Sequence, residues 1–148
     1  MNVLIVGVKN HATVDEVALH LRQCDHAFVP PLESRVDITV YAEKLVRQAV
    51  RFEAWSSNDL VGLVATYFNN KSELIAFVSS VSVLPSHQGL GIASSLLAQC
   101  LECAKTSGFR CLELEVDGSN LNAINLYLKM GFLRQKAIGG GIRMQHFL

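Results

Sequence analysis

The sequence predicts an α/β fold (α+β in its strand mix): one mixed sheet with helices on both faces, in a single domain over residues 1–148. Three observations carry this. Runs with helical apolar spacing alternate with strand-like runs in the order βααβββαβαββ. The turn signals between them are short, and no linker, repeat or low-complexity tract interrupts the chain. With 148 residues, 50% of them hydrophobic and 18% charged, the chain can bury one sizeable core.

The elements follow in order. Met1–Val8 is an apolar strand. Thr13–Cys24 is a helix; Thr13 with Glu16 three positions on is a capping-box pattern. Phe28–Arg35, "FVPPLESR", is a rigid loop because paired prolines fix its backbone. Asp37 caps a second helix over Ile38–Val50. Arg51–Ser56 and Leu60–Asn69 are strands joined at "SND", and "NNKSE" turns the chain into the strand Leu74–Leu84, which stops before Pro85. Ile92–Thr106 is an amphipathic helix ended by Gly108. Arg110–Val116 is a strand, Leu121–Met130 a helix followed by Gly131, and Phe132–Ala137 and Ile142–Phe147 are strands around "IGGG".

Charge narrows the partners. Thirteen basic residues balance thirteen acidic ones, so no basic excess grips a nucleic-acid backbone and no Lys/Arg cluster marks a membrane-binding face. The start lacks a basic leader, and no stretch approaches transmembrane length. A small-molecule or peptide partner in the cytoplasm is expected, with a homodimer left open. Of the four cysteines, Cys100 and Cys103 form a lone C-x-x-C inside a helical apolar pattern. Without a second ligand pair, they and Cys111 are expected to be structural and no metal is expected.

The stretch "VLPSHQGLGIASSLL", Val83–Leu97, sets Gly89 and Gly91 between a strand and a helix. A glycine turn there presents several backbone N–H groups together at the positive end of the helix dipole, where phosphates bind readily. A plain tight turn is the bland alternative. A dinucleotide fingerprint fits poorly, because Ser94 stands where its third glycine would be.

Two motifs add to this turn. "QGLGIA" matches Q/R-x-x-G-x-G/A through Gln88, Gly91 and Ala93. "NLNAINLYLKMGF" matches N-x-x-A-x-x-L-Y-x-K-x-G-F through Asn120, Ala123, Leu126, Tyr127, Lys129, Gly131 and Phe132. In this order and spacing they resemble the GNAT superfamily of acetyl-CoA-dependent N-acetyltransferases, most closely over Val61–Phe132. The resemblance implies a GNAT-like fold and acetyl-CoA as acetyl donor. It implies that the backbone of Gln88, Gly89, Leu90, Gly91, Ile92, Ala93 and Ser94 holds the cofactor pyrophosphate. Val81 and Val83 would pair with the pantetheine arm, and Asn120 would flank the other side, where its own residue type also fits a helix N-cap.

The implied reaction is direct attack of a primary amine on the thioester. A backbone N–H of Val81–Val83 would stabilise the oxyanion, and Tyr127, at the family's general-acid position, would protonate the thiolate. In the strand "CLELEV", Glu113 and Glu115 face away from Leu112, Leu114 and Val116. Glu115 matches a position that some relatives use as general base; His87 and Glu73 are weaker candidates. For the acceptor, Phe28 with Pro30, Pro31 and Leu32 would form an apolar wall and Glu33 would hold an ammonium. Two other functions share the same features: a non-catalytic acyl-CoA-binding module, and a nucleotide-binding regulator.

Overall fold

The structure, a computed structural model, describes residues 4–148. It has the expected order, with strands β1 (Ile5–Lys9), β2 (Val50–Ser56), β3 (Asp59–Asn70), β4 (Ile75–Val83), β5 (Cys111–Asp117), β6 (Leu133–Ile138) and β7 (Gly141–Phe147). Helices are α1 (Val14–Gln23), α2 (Ile38–Gln48), α3 (Ile92–Thr106) and α4 (Leu121–Lys129). The first three residues of the expected strand Met1–Val8 lie outside the described residues. Helix α2 ends two residues before the expected Val50, because Val50 already pairs with Thr66 in the sheet.

Seven strands form one sheet in the order β1-β2-β3-β4-β5-β7-β6. All neighbours are antiparallel except β4 and β5. On one face lie α1 and α2, burying Val17, Leu21, Ala42 and Leu45 against Leu60, Leu63 and Ala65. On the other lie α3 and α4, with Leu96, Leu97, Cys100, Ile124 and Tyr127 against Val64, Val78, Leu112 and Leu114. Gly62 lets α3 approach: a Cβ there would sit 2.5 Å from Ile92 Cγ2. Among the described residues no helix is long and apolar enough to cross a membrane.

Local chemistry sets the helix starts. Thr13 accepts from the Glu16 N–H while Glu16 accepts from the Thr13 N–H, the reciprocal capping box. Asp37 caps α2 through Val40 N–H and Asn120 caps α4 through Ala123 N–H. Helix α3 differs. Its N-cap is Gly91, at φ 78°, with no side chain closing the first turn.

His20 ties α1 to the sheet. Its Nδ1–H donates to the Leu60 carbonyl and its Nε2 accepts from the Ser82 hydroxyl, both at 2.8 Å. A carbonyl can only accept, so this pairing fixes the neutral tautomer. Burial pushes the imidazole pKa down to about 4. The folded chain therefore refuses a proton that the unfolded chain takes up from about pH 6.5 downward. This stabilisation is complete above about pH 6.5 and is lost as pH falls toward about 4, up to roughly 3 kcal/mol at about 1.4 kcal/mol per pH unit. Urea unfolding of wild type and His20→Gln across that window should give a steeper loss in wild type; parallel curves would contradict the burial argument.

Candidate active site

Strands β4 and β5 pair only at Ile75–Cys111, Ala76–Leu112 and Phe77–Glu113. Beyond Phe77 they part, although both continue, to Val83 and Asp117. The divergence begins at a bulge. Thr66 pairs with Val78 and Ala65 with Ser80, so Ser79 has no partner on β3. The extra residue bends β4 and reverses its facing. Val78 packs against the α3 core before it, while Val81 and Val83 pack there after it. Ser79 and Ser82 face the other layer, where Tyr41 and His20 bond them.

The gap is a cavity of about 1080 Å³ running across the molecule. At one end stands the glycine turn. The backbone N–H groups of Gln88, Gly89, Leu90, Gly91, Ile92, Ala93 and Ser94 donate to no acceptor among the described residues; Ser95 N–H is the first to bond back, to Gly91 O. Gly89 and Gly91 sit at φ 79° and 78°, and a Cβ on either would meet no atom within 4 Å. Their backbone therefore demands glycine, while the space above them stays open. Free donors from Gly91 to Ser94 at the helix N-terminus, with those of the glycine turn before it, fit a pyrophosphate. The β5-facing side of β4 from Val78 to Val83 offers further unpaired backbone groups to an extended pantetheine chain. The residues present thus fit coenzyme A.

The expected cofactor residues Val81, Val83, Gln88, Gly89, Gly91, Ile92, Ala93, Ser94 and Asn120 all line this cavity. Leu90 does not: its side chain is 64% exposed and turned outward, leaving only its N–H for the turn. Tyr127, on α4, also lines the cavity. Its ring meets Phe132 edge-on at 5.8 Å, its hydroxyl makes no hydrogen bond among the described residues, and burial pushes its pKa up to about 12. Glu115 also lines the cavity, on the exposed parity of β5. Its Oε1 accepts from Arg143 Nη2 at 2.7 Å, because Arg143 is its direct partner on β7.

One expected residue is corrected. Glu33 does not line the cavity. It lies in the 3-10 turn Leu32–Ser34, which turns Leu32 inward to 4% exposure and leaves Glu33 in solvent. Phe28, Pro30 and Leu32 do line it, and Pro31 does not. Glu73 sits in the β3–β4 turn at the far end of β4, its carbonyl accepting from Arg110. His87 lines the cavity beside the glycine turn. Residues not picked out from the sequence also line it: Arg35, Tyr41, Ser79, Ser80 and Asn122.

Cys24, Cys100 and Cys111 are buried free thiols, and Cys103 is half-buried. Cys100 lies 3.1 Å from Thr66 Oγ1, and burial pushes its thiol up to about 12; burial pushes Cys111 up as well.

Residues 16–132 match the model of the Acetyltransferase (GNAT) family. The chain belongs to this family. It is 34% identical over 88 residues to an uncharacterized N-acetyltransferase of Methanocaldococcus jannaschii, a match covering 57% of this chain and 39% of that protein. It is 28% identical over 88 residues to an N-alpha-acetyltransferase of Arabidopsis thaliana, covering 59% and 46%. The match thus spans less than half the length of either relative. Among solved structures, the ribosomal-protein-S18-alanine N-acetyltransferase of Escherichia coli superposes with a TM-score of 0.77 at 22% identity, covering 97% of this chain and 94% of that one. The PaiA N-acetyltransferase of Thermoplasma acidophilum, solved with coenzyme A, superposes with a TM-score of 0.74 at 14% identity, covering 97% and 99%. These two likenesses establish the GNAT fold.

Gly91→Val tests the glycine turn. Valine at φ 78° is strained, and its branched side chain would fill the open space above the donors. The variant should fold, yet acetyl-CoA should no longer raise its melting temperature. Undiminished stabilisation would remove the turn from the cofactor site.

Proposed function

We propose that this GNAT chain transfers the acetyl group of acetyl-CoA to a primary amine by direct attack. The observation that carries this reading is one cleft joining seven free backbone donors, an open strand edge and the unbonded hydroxyl of Tyr127. The bound donor supplies an activated thioester. The protein supplies proximity, an oxyanion partner and proton management.

The N–H groups along Val81–Val83 offer the acetyl oxygen a fixed donor on a rigid strand, so little reorganisation is needed as negative charge develops. The amine nitrogen forms the new C–N bond as the C–S bond breaks. Tyr127 gives its proton to the departing sulfur. A phenol pushed up to about 12 is fully protonated at neutral pH, so the acid is always loaded. The same dry surroundings raise the basicity of a leaving thiolate, which favours the transfer. The amine's surplus proton goes to Glu115, whose second carboxylate oxygen makes no bond among the described residues.

Two variants separate these roles. Tyr127→Phe should lower turnover by about two to four orders of magnitude with little change in acetyl-CoA affinity, because the hydroxyl acts only as the bond breaks. Full turnover with a rate-limiting chemical step would exclude the acid role. Glu115→Gln should lower kcat/KM at neutral pH and recover toward wild type at high pH, where the amine arrives already neutral. A deficit constant across pH would leave water as the proton acceptor. A non-catalytic acyl-CoA-binding module would instead bind acetyl-CoA and release no free thiol with any amine.

A further inference from the structure

The acceptor can be narrowed, on the acetyl-transfer reading above. Away from the glycine turn, the cavity wall comes from the α1–α2 connection, where Phe28, Val29, Pro30, Leu32 and Val36 form an apolar surface. One cation stands among them. Arg35 is exposed at the cavity lip, and its guanidinium makes no hydrogen bond or ion pair among the described residues. Five N–H donors at the mouth of an apolar pocket are thus unassigned.

The other charged lining groups already have partners or lie elsewhere. Glu115 is paired with Arg143. His87, beside the glycine turn, bonds Ser86 through Nδ1. Asp117 Oδ1 accepts from the Ser119 N–H and hydroxyl, chiefly for which its carboxyl lies below the usual range, and the charge of Arg35 contributes. Arg35 and Asp117 both line the cavity and carry opposite charges. The Tyr41 hydroxyl, which also lines the cavity, bonds Ser79.

We propose that the acceptor is a small amine carrying a carboxylate and an apolar side chain, an amino acid in its chemistry, with Arg35 holding the carboxylate. A guanidinium binds a carboxylate through two parallel bonds and so orients it as well as attracting it. The apolar side chain lies on the Phe28–Val36 wall, and the zwitterion's opposite charges match the opposed charges of the lining. A peptide N-terminus presents an amide where the amino acid presents its carboxylate, and gives Arg35 no anion.

The test follows free-thiol release with acetyl-CoA and L-leucine, L-methionine or L-phenylalanine, each against its amide and its dipeptide with alanine. Each amino acid should surpass its amide by about 10- to 100-fold in kcat/KM, and the advantage should shrink as ionic strength rises. Arg35→Gln should raise KM for the amino acids at least about 10-fold and leave the amides unchanged; Arg35→Lys should restore part of the loss. A panel in which no amino acid surpasses its amide overturns the inference. So does a preference for the dipeptides, or an Arg35→Gln defect equal for acids and amides. Acetyl-CoA thermal shift on the same samples separates two failures. A shift together with acetylation of amides or dipeptides alone removes only this acceptor class. No shift and no thiol from any amine removes the transferase reading itself.

Discussion

The cleft exists because two parallel strands part after three paired residues. Parallel neighbours in a sheet would otherwise satisfy each other's backbone groups along their whole length. Here β4 is drawn away at Ser79, where the bulge places two consecutive serines toward the α1–α2 layer. That layer then holds the bent strand, through the Tyr41 hydroxyl on the Ser79 carbonyl and His20 on the Ser82 hydroxyl. On the other side, β5 is paired along its whole length with β7, from Cys111–Phe147 to Asp117–Gly141. One strand is pulled and the other is anchored, and the backbone groups exposed between them are what the cofactor can use.

The pull depends on where α1 begins, and a buried carboxylate sets that. Glu53, fully buried on β2, accepts from the His11 and Ala12 N–H groups, Trp55 Nε1 and Arg51 Nε. Arg51 in turn donates to the carbonyls of Ala12 and Val46. A buried charge pair is worth keeping only when its lone pairs and protons are matched, and here the matching groups are the backbone of the β1–α1 turn and the end of α2. The network thus ties both helices to β2. The geometry at β4 inherits that fixing, because His20 lies two turns into α1 and Tyr41 near the start of α2.

What could be read from the sequence follows from the range of the interactions. Helix α3 was legible to the residue, since its apolar spacing, the preceding Gly91 and the following Gly108 are local signals. So were the Thr13–Glu16 capping box and the glycine turn, whose donors from Gly91 to Ser94 are free by helix geometry alone. Partners that depend on register were not legible. Nothing near Glu115 in the chain announces Arg143, 28 residues on, and that pairing follows only from how β7 lies against β5. The bulge left a local trace: in "FVSSVSV" the adjacent Ser79 and Ser80 break the alternation of apolar and small polar residues, and β3's register shows Ser79 to be the unpaired one. Glu33 was misplaced because a 3-10 turn, unlike an extended loop, sends Leu32 to the core and its neighbour to solvent.

The two halves of the cleft therefore differ in kind. The end read as the cofactor site is built from backbone: N–H groups at a helix start and a strand edge, left open by glycines at positive φ. That is why short motifs there identify the family. The proposed acceptor end is built from side chains brought in by the α1–α2 connection, with Phe28, Leu32 and Arg35 gathered round the same cavity as Ser80 only through the tertiary fold. On the proposed reading, acceptor choice is set by that wall, at a distance from the glycine turn, and has to be read from the cavity rather than from the motifs.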